Sequence, residues 1–165
     1  MLRNFVDIIG IADPSEFPQI LPNTKYTQYI VEEKLTIPAA KPDVEQINSV
    51  MIEANIIDSR VIVTPVGVKI VIDGELTQKV IYTADDLVQS VHSAHYVIPF
   101  CTFIDIPLTI ATPAMSVIDY LLSLGLTLND VVTAGPYVLV EDVSVQLLDP
   151  RTIKKCVVLF LWATI

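Results

Sequence analysis

His92 and His95 stand three residues apart with Cys101 and Asp105 downstream, and they form the one group in this 165-residue chain with metal-ligand residue types. On a strand, positions 92 and 95 project to opposite faces, so a shared ion would need a helix or a bulge there. The pair therefore reads as two histidines satisfied by backbone or solvent, and neither a metal nor a cofactor is assigned. Asp85-Asp86 could offer oxygen ligands to a hard cation, but no glycine-bearing calcium loop surrounds them, and they read as a solvated turn. Ser90 beside His92 is uninformative on spacing alone. The sequence has no nucleophile elbow, no phosphate-cradling glycine loop and no HExxH, and its acids are spread over polar strand faces with no pair privileged. No catalytic residue is assigned, and enzymatic activity is not expected.

Composition narrows the classes that remain. Hydrophobic residues make up 52% and charged residues 18%, below the roughly 25% of ordinary soluble domains, so the chain folds and has apolar surface to spare. Its 10 basic against 19 acidic residues leave a net charge of −9, which repels phosphate backbones and makes nucleic acid a poor partner. No apolar run reaches the length of a spanning helix, so no membrane span is expected. Asp7 interrupts the leading apolar stretch, which argues against a classical signal peptide. Cys101 and Cys156 are too far apart for a CxxC site and too few for a disulfide framework; both read as buried thiols, bridged only if the fold brings them together.

The elements that position these residues are mostly strands. Residues 1–28 carry Pro14, Pro18 and Pro22 at four-residue spacing and read as an arm or linker whose apolar first part pairs as an extended strand. A β domain then occupies residues 29–165. Period-2 alternation marks strands over Tyr29 to Pro38, with Glu33 the exception on the dry face, and over Ile47 to Ile57. Asp43 and Gln46 have the spacing of a helix N-cap and its N3 partner, so a single helical turn or a tight bend stands between those strands. From Ile62 to Tyr82 the alternation is clearest, and Asp73-Gly74 within it suggests a hairpin turn, with a bulge as the other reading. Leu87 to Ile98 and Phe100 to Ile106 read as strands separated by Pro99, at a sheet edge or corner. Residues 113–125 have helical spacing closed by Gly125. Tyr137 to Leu147 and Ile153 to Ala163 form a last pair turned at Asp149-Pro150, the closing strand being apolar on both faces. The fold class is all-β: an antiparallel sandwich, jelly-roll or Greek-key-like, with one short helix and an extended N-terminal arm.

One stretch has a family character. Ile37-Pro38-Ala39-Ala40-Lys41-Pro42-Asp43-Val44-Glu45-Gln46-Ile47, followed by Tyr82-Thr83-Ala84, Val91-His92-Ser93-Ala94-His95 and Ile98-Pro99-Phe100, resembles the SPOCS domain of endospore-forming bacteria. Glu141-Asp142-Val143 to Asp149-Pro150-Arg151 and the closing apolar strand resemble that domain's last hairpin, so the resemblance covers most of residues 29–163. It implies a non-catalytic β domain used in building spore outer layers, located at the spore surface in a coat, exosporium or appendage, with an extracellular fibre as a related setting. Lys41, Pro42, Asp43, Glu45 and Gln46 carry the family signature, and a shape-setting bend is the role expected of them.

Family adaptors that dock on a coat morphogenetic scaffold add a LysM-like module, and none follows the domain in this sequence. The expectation is therefore a structural protein whose main partner is itself, polymerising through arm exchange and sheet-edge contacts. The alternative is a soluble adaptor bound to other spore-coat proteins. Phe5, Ile8, Ile9, Ile11 and Phe17 are the candidate assembly residues; they either fold back on their own sandwich or dock on a neighbour, since an open sheet edge accepts a strand from either source.

Overall fold

The computed structural model describes residues 6–107 and 116–165. In chain order they form β1 (Asp7–Ile9), β2 (Thr24–Thr36), β3 (Val44–Thr64), β4 (Gly67–Ala84), β5 (Val91–Pro107), a short helix α1 (Val117–Ser123), β6 (Ala134–Asp149) and β7 (Thr152–Thr164). Two sheets result, ordered β1-β3-β4-β5 and β2-β7-β6. Every pairing is antiparallel except that of β1, which runs parallel to β3. This is the all-β sandwich that the alternation predicts, with its one short helix.

Alternation converts directly into layers. In β4, each even-numbered residue from Val68 to Ala84 is buried and the odd-numbered ones are wetter, so one face packs the core and the other meets solvent. The inner face of β7 supplies Ile153, Val157, Leu159, Leu161 and Ala163, all buried. β7 is apolar on both faces because it is the central strand of its sheet: its outer Phe160 and Trp162 are covered by Phe17, Tyr26 and Tyr137. α1 forms within the expected 113–125 stretch, of which residues 113–115 lie outside the described residues: Ser116 caps it by accepting from the Asp119 N–H at 3.2 Å, and Gly125 follows it at φ +71°.

Several expectations are corrected. Asp73-Gly74 makes no turn; β4 runs straight through it, and the chain reverses at Pro65-Val66 instead. The bulge is in the partner strand, between Ile56 and Asp58. Gly74 is there for packing: a Cβ would lie 2.3 Å from the Phe100 ring and 2.7 Å from the Asn55 carbonyl oxygen. Pro99 does not divide two strands either. It sits inside β5, which is paired on one side only, so its missing N–H costs no ladder bond. β2 begins at Thr24, five residues before the expected start, and β3 extends from Val44 to Thr64. No helical turn precedes β3, where a tight bend stands. Neither cysteine is buried: Cys101 is exposed on the outer face of one sheet and Cys156 is half-buried on the other, and both are free thiols.

Adding a methyl group at Gly74 forces the Phe100 ring or the β3 backbone to move. Gly74→Ala is expected to lower unfolding free energy by about 1–3 kcal/mol in urea titrations, with the β spectrum kept; an unchanged midpoint would mean that the ring has room to retreat.

Candidate functional site

The signature segment is a clamped bend. Between β2 and β3 the chain passes from one sheet to the other, and Arg151, just after the β6 strand end, holds it in place. The guanidinium donates to the carbonyls of Ile37 (3.1 Å), Pro38 (2.8 Å) and Lys41 (3.1 Å) and to the Asp43 carboxylate (2.7 Å). A planar fork with several donors suits a curved row of carbonyls in a way that a point-charge ammonium does not. Tyr82 adds a hydrogen bond from its hydroxyl to the Pro42 carbonyl at 2.9 Å, its own titration pushed up by burial. Backbone bonds from Ile37 N–H to Arg151 and from Val44 N–H to Pro150 close the ring. Of the other signature residues, Glu45 accepts from Gln89, which stands at φ +48°, and Gln46 is exposed beside Thr83. The bend is thus a built structural joint, its carbonyl oxygens accepting from Arg151 and Tyr82.

The second feature is a polar layer inside the core. Glu33 on β2 and Lys155 on β7 are directly paired on the inner face of one sheet, and Gln78 of β4 meets them from the other. Gln78 Nε2 donates to Glu33 Oε1 at 2.6 Å, and Lys155 Nζ lies 3.6 Å from the same oxygen. The Lys155 side chain is fully buried and that of Glu33 is 6% exposed. Burial pushes the lysine amine down to about 8, against the opposing pull of Glu33. Lys155 Nζ, Glu33 Oε2 and Gln78 Oε1 have no hydrogen-bond partner. Each such group costs about 1–3 kcal/mol. Apolar layers seal both sides: Val31, Leu76 and Val157 belong to one core cluster, and Leu35, Val80 and Ile153 to the other.

Glu33 is the polar exception that the alternation of its strand singles out, whereas the sequence reading does not include Gln78 or Lys155. They too interrupt dry faces, Gln78 between Leu76 and Val80 and Lys155 between Ile153 and Val157. Three polar residues out of phase with their own strands were the available clue.

The other candidates are dispersed. His92 stacks on Tyr82 at 5.8 Å between ring centres, while His95 is exposed on the opposite face of β5. Asp86, Ser90 and His92 do come together: the Ser90 hydroxyl donates to Asp86 at 2.7 Å and lies 2.9 Å from His92 Nε2. The serine's one proton is engaged by Asp86, so the imidazole is the donor to Ser90, the reverse of a nucleophile activated by a base. These bonds hold the Asp86 carboxyl below its usual range. Of the arm residues, Ile8 packs against both core clusters, Ile9 and Ile11 are exposed, and Phe17 stands edge-on to Phe160 at 5.6 Å; Phe5 lies outside the described residues. Beside Phe17 a shallow groove of about 500 Å³ is lined by Pro18, Ile20, Tyr26, Gln28, Glu141 and Phe160. Among the described residues, no helix is long and apolar enough to cross a membrane.

Replacing Arg151 tests the clamp. Arg151→Ala is expected to cost about 1.5–3 kcal/mol of stability by urea unfolding, and Arg151→Lys should recover less than half of that, because an ammonium cannot span the same carbonyls. Full recovery by lysine would show that charge alone holds the bend.

Comparison with known families places this joint at the edge of a recognised domain. The family described as SipL, SPOCS domain matches residues 43–120, from Asp43 of the bend through β3, β4 and β5 into α1, while the resemblance read at residues 29–42 and 121–163 lies outside the matched range. No curated protein and no solved structure matches the chain. The SPOCS family is a non-catalytic, spore-associated one. Over residues 43–120 the chain is similar to the SPOCS domain, which is consistent with a SPOCS domain family protein and suggests a link to sporulation.

Proposed function

We propose that this protein is a structural, non-enzymatic component of a spore-surface layer or fibre, assembling with copies of itself through its N-terminal arm and open sheet edges. The observation that carries the reading is the way the arm is attached. β1 contributes only three residues, paired with Ser49, Val50 and Met51 of a β3 strand that runs from Val44 to Thr64. Among the described residues no other strand pairs on that side, so most of the β3 edge has no ladder partner. The arm then crosses to the second sheet, where the Ala12 N–H donates to the Val140 carbonyl at 2.9 Å. An arm held by so few ladder bonds makes the same bonds to a neighbour's β3 as to its own, which is the logic of domain swapping.

Exposed apolar side chains supply contact area beyond the ladder. Ile9, Ile20, Leu21, Tyr26 and Ile30 are all 46% exposed or more, and they lie along the arm and the β2 face. Successive head-to-tail contacts of this kind generate an open polymer unless the rotation closes a ring.

Electron microscopy and sedimentation of the purified chain across concentrations test the reading. Extended assemblies are expected for the full chain, and removal of residues 1–12 should leave a β-rich monomer. Monomers alone at every concentration would overturn self-assembly. Assemblies that persist after truncation would overturn the arm's part in it, and a discrete particle that captures a purified spore-coat protein would favour the adaptor instead.

A further inference from the structure

We propose that Lys155 and Gln78 are the two partners of a self-formed isopeptide cross-link between the sheets, with Glu33 as the group that moves the proton. The geometry points to it because one carboxylate oxygen faces both nitrogens of such a reaction: Glu33 Oε1 lies 2.6 Å from Gln78 Nε2 and 3.6 Å from Lys155 Nζ. All three side chains are buried, with apolar layers above and below that exclude water from the amide. Nothing else in the core gives an amine, an amide and a carboxylate in one place among the described residues.

The chemistry balances without any added reagent. The Lys155 Nζ lone pair attacks Gln78 Cδ, forming the new C–N bond and a tetrahedral centre whose former amine nitrogen carries a surplus proton. Glu33 accepts that proton and returns it to Gln78 Nε2, which leaves as ammonia when the old C–N bond breaks. The product is a secondary amide joining β7 to β4. Desolvation favours the neutral amine that the attack requires, and the fixed neighbours replace a bimolecular encounter by an intramolecular one. An amide carbonyl is the acceptor because an ionised carboxylate resists attack by an amine, and this selects Gln78 over Glu33. The cross-link also removes the buried ammonium, one of the three unpartnered polar groups of the layer. It does not depend on the assembly reading.

Intact-mass spectrometry of the full chain, denatured after folding, tests the proposal. The wild-type protein is expected to be lighter than its sequence by about 17 Da, the mass of ammonia lost, and a protease digest should contain one branched peptide joining Lys155 to Gln78. Glu33→Gln, which keeps the shape and removes the carboxylate, and Lys155→Met should both show no such loss. Wild-type protein at its full sequence mass would overturn the cross-link, as would a loss traced to Lys155 bonded to Glu33. A cross-link that forms equally in Glu33→Gln would overturn the role of Glu33.

Discussion

A sandwich core excludes water, and this one holds an amine, a carboxylate and an amide at its middle. Glu33, Gln78 and Lys155 are brought to one level by the β2–β7 register and by the packing of β4 across the gap. Sliding either sheet by one residue pair would set Gln78 against apolar side chains and leave Glu33 without its one hydrogen bond. The layer therefore penalises every alternative alignment more than it rewards the correct one, which is the manner in which buried polar groups contribute specificity. Its uncompensated atoms make it costly, and the two apolar clusters on either side must supply the stability that it withholds.

The alignment of sheets in turn depends on the connections that pass between them. β2 and β3 are consecutive in sequence but lie in different sheets, so the bend at residues 37–43 is one of the joints of the sandwich. Arg151 fixes it from the β6–β7 hairpin, tying the second sheet's turn to the start of the first sheet's long strand. The carbonyls that the bend presents are engaged internally, by Arg151 and Tyr82.

What remains free for function is at the margins. Among the described residues, β5, β2 and β6 are each paired on one side only, β3 is joined on its outer side by the three residues of β1, and an aromatic groove lies around Phe160.

The in-and-out alternation of β4, the amphipathic turn of α1 and the β6–β7 hairpin at Asp149-Pro150 were legible in the chain because each is a local property of consecutive residues. The unbroken phase through Asp73-Gly74 was itself a sign against a turn, although a turn dipeptide outweighed it on sequence grounds. Only tertiary structure decided that Gly74 makes room for Phe100, that Arg151 clamps the signature bend, and that Lys155 faces Glu33 and Gln78. The same holds for Cys101 and Cys156, whose residue type suggests burial while their register turns them outward on different sheets. Periodicity says which side of a strand is dry; it carries no information about which distant strand will lie opposite, and every one of these contacts is made between such strands.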